Sequence, residues 1–293
     1  MLSRQNGAGV EALAPFFFYL ISTQTNFQQD YSTDNMITLI AESKTMSVRS
    51  EAVSSDVLSC HTPAFEAEAS KIIEFLSSSD PTELAMRISI SNALAAKAAA
   101  MIYEFPNKST GSEAIMAFTG EVFRGLDIST LDISDRKYAT THLMIISSLY
   151  GLLRTDDIIK PYRLDFNAAC APDGDRLTKY WRAKVTTALK NLMEESGERE
   201  VLDLLPAEAS RCIDWNALKD TANVMKVDFK AVGEDGNLKT PHSGKLKEMR
   251  GKMARTILSG RIDSFDALRK CHTAAFAPDS DLHTPQSLVF VIL

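Results

Sequence analysis

Short apolar strands alternate with amphipathic helices along most of this chain, and this alternation limits the fold classes open to it. Segments with strand character lie at Met36–Ala41, Val201–Leu205, Asn223–Val232 and Ser287–Ile292. Helical periodicity or capping residues mark much of the sequence between them. No internal repeat or low-complexity linker interrupts the pattern. We therefore predict one compact α/β (α+β) domain of mixed strands and helices spanning residues 36–293.

Several helices can be delimited from the sequence alone, because their apolar spacing or their terminal residues are distinctive. They are Phe65–Leu76, a helix capped by Asp80 with Pro81 at its first position, Asn92–Glu104 after Ser91, Glu121–Leu126, Leu177–Glu195 before Gly197, and Gly244–Ser259. Two further expectations concern the middle of the chain. We predict a helix that Ser134 caps and that runs to about Tyr150, and a short buried strand at Ile115–Phe118.

Composition places the chain among ordinary soluble globular proteins. Of its 293 residues 45% are apolar and 24% charged, and the net charge of −6 argues against a uniformly basic nucleic-acid binder. The apolar stretch Ala14–Ile21 is too short to cross a bilayer. We interpret residues 1–35 as a disordered upstream extension, with an export signal as the alternative. No membrane association is expected.

The four cysteines are far apart and show no Cys-x-x-Cys spacing, which favours reduced thiols in a cytoplasmic protein. Two Cys-His pairs, Cys60-His61 and Cys271-His272, suggest metal binding at first sight. Adjacent side chains diverge on a strand and do not converge on a helix, so each pair would supply one ligand. We expect no metal site and no cofactor.

The segment from Ser147 to Arg163 combines a glycine break with two arginines and two tyrosines. Gly151 interrupts an apolar run, and Arg154, Tyr162 and Arg163 follow it. Arginine binds carboxylates and phosphates through two parallel hydrogen bonds. Asp157 could instead pair with one arginine and brace the loop, and the two interpretations are compatible.

A second polar loop, Ser43-Lys44-Thr45, directly follows the first strand. In open α/β sheets ligands bind beyond the carboxyl ends of strands, so this loop is well placed for a site. Its lysine and hydroxyls can hold a phosphate or carboxylate, and the lysine can act as a base or nucleophile. The loop contains no glycine and is therefore not a Walker-type phosphate loop. An exposed polar turn is the alternative.

The strongest electrostatic signal is a basic helix near the C-terminus. From Lys239 to Arg261 seven basic residues and one acid, Glu248, give a local charge of +6, so the rest of the chain carries −12. Leu246, Met249, Met253 and Ile257 form an apolar stripe. Around it lie cations suited to phosphates: Lys245, Lys247, Arg250, Lys252 and Arg255. A solvated basic face without function is the alternative.

These segments together resemble the YaaA family of bacterial peroxide-stress proteins. The matching pieces include residues 37–46, 86–89 and 114–126, then Leu149–Arg154 with Pro161-Tyr162-Arg163-Leu164, Tyr180-Trp181, Arg250-Gly251 with Met253 and Arg255, and Leu288-Val289-Phe290. The resemblance implies the family's compact single-domain fold and a cytosolic protein that limits hydrogen peroxide damage, with effects on unincorporated iron. It also implies DNA binding through a basic cleft and a helix-hairpin-helix element. Because Leu153 follows Gly151-Leu152 where that element usually has a second glycine, the element cannot be placed.

The resemblance carries candidate roles to Ser43, Lys44, Arg154, Tyr162, Arg163, Arg250 and Arg255. Two functional hypotheses follow. The first, which we favour, is a non-enzymatic stress protein that binds DNA through Lys44, Arg154, Arg163 and the cations of the basic helix. The second is an enzyme acting on a nucleotide or nucleic-acid base, with Ser43, Lys44 and Tyr162 as catalytic candidates and Arg154 and Arg163 in the same pocket. The sequence does not set an oligomeric state.

Overall fold

The computed structural model describes residues 36–47, 61–107 and 111–293. Their strands and helices follow in the order β1 (Met36–Ala41), α1 (Glu66–Ser77), α2 (Pro81–Arg87), α3 (Asn92–Glu104), β2 (Ser112–Glu113), α4 (Ala114–Ala117), α5 (Glu121–Leu126), α6 (Ile133–His142), β3 (Leu143–Ser147), β4 (Gly151–Arg154), β5 (Ile158–Ile159), α7 (Leu177–Ser196), β6 (Glu200–Asp203), α8 (Ala207–Ser210), β7 (Asn223–Val232), β8 (Leu238–Lys239), α9 (Ser243–Gly260), α10 (Phe265–Leu268), β9 (Phe276–Pro278) and β10 (Ser287–Ile292).

A mixed eight-stranded sheet crosses the described part of the chain in the order β4-β3-β1-β6-β7-β10-β9, with β8 paired to β7. The central strands β3, β1, β6, β7 and β10 are parallel, and β4 and β9 are antiparallel edges. Every residue of β1 and β3 is buried. Near-continuous apolar strands of this kind are typical of parallel sheets covered on both faces. The predicted α/β class and single compact domain are confirmed.

The helix predicted to run from Ser134 to about Tyr150 is wrong in its second half. The helix ends at His142, and Leu143–Ser147 continues as the buried strand β3 between β1 and β4. Its N-cap is Asp132, whose side chain accepts the N–H of Asp135. The apolar run Leu143–Ile146 follows the polar end of the helix with no glycine or proline between them, so pairing with β1 is what makes it a strand. Gly151 does break the chain, with φ +68, and opens the edge strand β4.

The strand predicted at Ile115–Phe118 is instead one helical turn, α4. The N–H groups of Ala114 and Ile115 donate to the carbonyls of Asp157 and Thr155, at 2.8 and 3.0 Å. These two bonds tie the turn to a neighbouring loop, and Phe118, just after the turn, forms an isolated antiparallel β-bridge with Met46. A short apolar run without flanking signals does not distinguish a strand from a buried helical turn.

Most other predicted elements are present with ends within about two residues, as expected for boundaries of this kind. Asp80 caps α2, because its side chain accepts the N–H groups of Thr82 and Glu83 at 2.8 and 2.9 Å. Ser91 precedes α3 as predicted but makes no side-chain capping bond. Gly197 ends α7 in the left-handed conformation.

Some expectations concern residues 1–35 and Cys60, which lie outside the described residues. In the described part of the chain, no helix combines the length and the apolar character needed to cross a bilayer.

Two glycines let helices α5 and α9 cross at very short range. A Cβ atom on Gly251 would lie 1.9 Å from the carbonyl oxygen of Val122, and one on Gly125 would lie 2.4 Å from that of Glu248. Real side chains never approach a backbone so closely, so both positions require glycine at this crossing. The crossing fixes the basic helix α9 against α5, whose first residue follows Gly120.

Candidate functional site

The loop after β1 is pinned to the start of α5. The Ser43 hydroxyl accepts the N–H of Gly120 at 3.0 Å and donates to the Thr45 carbonyl at 2.5 Å. The Thr119 N–H donates to the same Thr45 carbonyl at 3.0 Å. A Cβ on Gly120 would lie 2.6 Å from that of Ser43, so the two segments are in direct contact. The Ser43 hydroxyl therefore holds the loop in place, and its proton is already committed to a backbone acceptor.

Lys44 and Arg163 meet at this loop. An Nη1 hydrogen of Arg163 is donated to the Lys44 carbonyl at 3.0 Å, and the Lys44 ammonium forms an ion pair with Asp165. The Lys44 side chain is 54% exposed. The Nε of Arg163 is buried and has no hydrogen-bond partner in the described part of the protein. Two cations thus lie together at the carboxyl end of β1, where the parallel sheet favours a ligand.

Glu42, which sequence reasoning did not select, forms the polar centre beneath these cations. Its carboxylate accepts from the Ser148 N–H at 2.9 Å, from the Ser148 hydroxyl at 2.5 Å and from the Tyr162 hydroxyl. Tyr162 also contacts the Ser147 hydroxyl at 2.7 Å. Burial raises the pKa of Glu42 to about 7, although the bonds from Ser148 and Tyr162 oppose the shift.

This network joins the end of β1 to the turn after β3 and to the segment that carries Arg163. Ser147, Ser148 and Tyr162 are all buried. Tyr162 is therefore removed from solvent, and burial is the main cause that raises its pKa well above the usual value. The network positions the loop that bears Lys44 and the segment that bears Arg163, and it gives a substrate little access to the tyrosine.

Arg154 lies away from this group. It is in register with Met144 at the start of β3, whereas Gly151 pairs with Ser147 at the strand's carboxyl end. Because β4 runs antiparallel to β3, Arg154 is at the opposite end of the sheet from Lys44. Its Nε lies 3.3 Å from a carboxylate oxygen of Asp156, and its N–H donates to Asp157 at 2.8 Å.

Asp157 braces this loop, but through a backbone N–H; the carboxylate beside the Arg154 guanidinium is that of Asp156. The Asp157 carboxylate receives the Arg154 backbone N–H, and burial raises its pKa to about 7. The neighbouring Asp156 contacts Nδ1 of His61 at 3.0 Å as well as Arg154. Arg154 belongs to this internal group of charges and does not line a common pocket with Lys44 and Arg163.

The basic helix α9 packs as its sequence pattern predicts, with Met249, Met253 and Ile257 buried. Its cations differ in how they are held. Lys245 and Lys252 both pair with Glu248, at 3.1 and 2.8 Å. The Glu248 carboxylate therefore offsets part of the positive charge of the helix. Both ion pairs are only partly shielded from solvent.

The two arginines of this face are more firmly engaged. Arg255 donates from Nη1 to the carbonyls of Leu126 and Asp127, at 3.0 and 2.8 Å, and so satisfies the end of α5. Burial lowers the pKa of Arg250, while the nearby acids Asp203, Asp228 and Glu208 act in the opposite direction. Lys247 is exposed and forms no ion pair with any described residue.

A groove of about 610 Å³ runs between α5, α9 and the segment before β9. The side chains that line it include residues 273–276, three cations and three acids. The cations are Arg124, Lys252 and Arg255, and the acids are Glu121, Asp127 and Glu248. The charges that line the groove balance. Lys247 does not line the groove and lies about 200° around the helix axis from Lys245.

The Lys44 loop contacts α5, and α5 in turn contacts α9. The Lys44 loop touches Gly120 at the start of α5, and α5 crosses α9 through Gly125 and Gly251. No group of three or more His, Cys, Asp or Glu side chains is arranged to hold a metal ion among the residues described. The cations on this side, such as Lys44, Arg163 and Lys247, are of the kind that binds anions.

Comparison with known proteins places these features in a family context. The family model described as peroxide stress protein YaaA matches residues 36–282. A UPF0246 protein of Francisella tularensis subsp. novicida is 34% identical over 234 residues, covering 78% of this chain and 90% of that protein. A UPF0246 protein of Francisella philomiragia subsp. philomiragia is 31% identical over the same shares of the two chains.

Proposed function

Because this chain belongs to the YaaA family of peroxide stress proteins, we propose that it limits peroxide damage linked to intracellular iron in the cytoplasm by binding DNA. The observation that carries the DNA proposal is the set of lysines on α9, with Lys245 and Lys252 on one side of its apolar stripe and Lys247 on the other. The glycine crossing holds this helix against α5, so its cations have a fixed spacing. Cations fixed along one helix suit the phosphates of a nucleic-acid backbone.

The pairing of Lys245 and Lys252 with Glu248 does not prevent such contacts. Solvent-exposed ion pairs contribute about 0–1 kcal/mol each, because water and salt screen them. A phosphate contact also releases condensed counterions, which favours the exchange of a carboxylate for a phosphate. Lys247 is available without any exchange. The proposal therefore assigns two or three phosphate contacts to this helix.

Lys44 and Arg163 supply a second point of contact on the same chain of neighbouring segments. The Lys44 side chain is more than half exposed, and its partner Asp165 is an exchangeable carboxylate. Contacts of this kind neutralise backbone charge without distinguishing bases, so we expect little sequence preference. Binding to duplex DNA should weaken steeply with salt, by about 0.9 in log K per phosphate contact for each unit of log salt concentration.

The test is a triple substitution, K245Q/K247Q/K252Q, measured by fluorescence anisotropy with a labelled DNA duplex over a salt series. We expect weaker binding on every sequence and a slope reduced by about 2–3. The matched control is K179Q/K184Q/K190Q on α7, where each lysine also pairs with an acid. Equal loss in the two triple variants, or binding that does not respond to salt, would refute the proposal.

The cellular part of the proposal has its own test. A strain lacking this protein, complemented with the wild type or with either triple variant, is challenged with hydrogen peroxide. We expect the α7 triple variant to restore survival and the α9 triple variant to fail. Full rescue by the α9 variant, with DNA binding lost in vitro, would separate protection against peroxide from DNA binding.

A second candidate, an enzyme acting on a nucleotide or nucleic-acid base, draws support from the meeting of Lys44 and Arg163 and from the buried, unpartnered Nε of Arg163. Such a site would bind a phosphate or carboxylate between the two cations. Titration calorimetry with mononucleotides tests it, with Lys44→Met as the variant and Lys190→Met as control. Absence of binding at millimolar nucleotide would exclude this candidate.

A further inference from the structure

The C-terminal end of the long helix α7 carries charges of the wrong sign. A helix has a partial negative charge at its C-terminus, where cationic side chains are normally favourable. Here the last turn contains no basic residue, Glu194 and Glu195 lie within it, and Glu198 follows the Gly197 cap. Lys190 offsets one of these acids through a contact of 3.7 Å with Glu194. Glu195 and Glu198 have no basic side chain in the last turn to offset them.

Glu198 provides an independent sign that something is missing at this place. The residue is only 8% exposed, yet its Oε2 is buried and has no hydrogen-bond partner among the described residues. A buried carboxylate without a partner costs several kcal/mol when it is ionised. Burial alone raises the pKa of Glu198 to about 7, which reflects the same lack of compensation. A cationic ligand would supply the missing partner.

A cavity lies where that ligand would bind. Its volume is about 320 Å³, and Glu194, Glu198 and Asp220 line it together with Gly197, Arg199 and Thr221. This volume is at the lower end of the range found for small-molecule sites. The three acids are spread along the cavity and do not converge as a metal site would require. Three separate carboxylates in one cavity suit a ligand with more than one positive centre.

We propose that this cavity binds a small linear polyamine, with one ammonium group on Glu198 at the end of α7 and a second near Asp220. The ammonium at Glu198 satisfies the buried carboxylate and the electronegative helix end at once. The methylene chain between the two charges lies along Met193, the apolar member of the lining. Arg199 also lines the cavity but is an exposed side chain, so it can turn toward solvent when the ligand binds.

The proposal is tested by titration calorimetry and thermal-shift assays on the full chain. The ligands are putrescine, spermidine and the uncharged analogue 1,4-butanediol. We expect both amines to bind with one-to-one stoichiometry and to raise Tm, and the diol to do neither. Glu198→Gln should weaken binding by at least about tenfold while raising the Tm of the free protein, because it removes an unpartnered buried carboxyl. Its own stability gain shows that the variant folds.

Two further variants complete the test. Asp220→Asn should weaken the binding of the diamine severalfold, and Glu74→Gln, an exposed acid on α1 that does not line the cavity, should leave it unchanged. No amine binding at millimolar concentration, equal binding by the diol, or binding unaffected by Glu198→Gln would each overturn the proposal. Binding of Mg²⁺ in place of the amines would overturn the choice of an organic cation. None of these outcomes depends on DNA binding by α9.

Discussion

Glu42 should make the stability of this protein depend on pH in a way that one substitution removes. Its carboxyl is enclosed by Ser148 and Tyr162, and its pKa is raised from the ordinary glutamate value of 4.5 to about 7. Between these two values the folded protein keeps the proton and the unfolded chain has lost it. The folded state therefore binds more protons, and the free energy of unfolding falls as pH rises through this window.

The magnitude follows from the width of the window. At about 1.4 kcal/mol per pH unit, the interval from 4.5 to about 7 corresponds to a loss of about 3 kcal/mol. Below pH 4.5 both states hold the proton, and above about 7 both have lost it, so the change is confined to this interval. Glu42→Gln keeps a side chain of the same size but cannot ionise.

Urea unfolding at a series of pH values between 4 and 8.5, followed through the fluorescence of the buried Trp181, measures this effect. We expect the stability of Glu42→Gln relative to wild type to rise by about 3 kcal/mol across the window. Other carboxyls with raised pKa values, such as Asp157 and Glu198, are present in both proteins and cancel in the difference. Glu74→Gln controls for the loss of one negative charge. Parallel pH profiles for wild type and Glu42→Gln would refute the reasoning.

Three other substitutions test the packing, the capping and the electrostatics. Gly251→Ala should lower the free energy of unfolding by about 1–3 kcal/mol in urea denaturation, because the helix crossing has no room for a methyl group, whereas Gly260→Ala in the same helix should be neutral or slightly stabilising. Asp80→Ala should cost about 1 kcal/mol in the same assay through loss of the α2 cap. Glu248→Gln should tighten DNA binding with little change in its salt slope, since it removes the carboxylate that competes with phosphate for Lys245 and Lys252; Glu194→Gln on α7 should leave binding unchanged.

Elements whose sequence carries its own boundary signals were predictable, and those defined by distant partners were not. Asp80 with Pro81 and the glycine after α7 mark helix ends locally, and the structure has these ends. The change from helix to strand at Leu143 has no glycine or proline to mark it, and the four apolar residues Leu143–Ile146 do not by themselves distinguish a strand from a buried helical turn. Parallel pairing of residues 143–146 with β1, about a hundred residues earlier, determines it.

In the candidate site, too, local sequence predicted some features, and contacts between distant segments determined the others. The position of Lys44 after the first strand was enough to place it at the carboxyl end of the sheet. Its contact with Arg163 could be anticipated only as a hypothesis, because it joins segments 119 residues apart. Arg154 was grouped with them on closeness in sequence, but the reversal of the chain at Gly151 carries it to the other end of β4. Closeness in sequence across a hairpin turn does not imply closeness at a site.

The charge of a helix is a poor measure of its capacity to bind phosphate unless the engagement of each cation is known. Arg255 donates two hydrogen bonds to the carbonyls of Leu126 and Asp127, so moving it to a phosphate would expose the end of α5. Lys247 forms no ion pair with any described residue. Arg255→Gln should therefore lower the free energy of unfolding by about 1–2 kcal/mol and leave the salt slope of DNA binding unchanged. Lys247→Gln should leave the free energy of unfolding unchanged and lower the salt slope by about 1. If the salt slope falls by about 1 in Arg255→Gln at unchanged stability, the arginine contacts phosphate directly and the distinction between structural and binding cations on this helix fails.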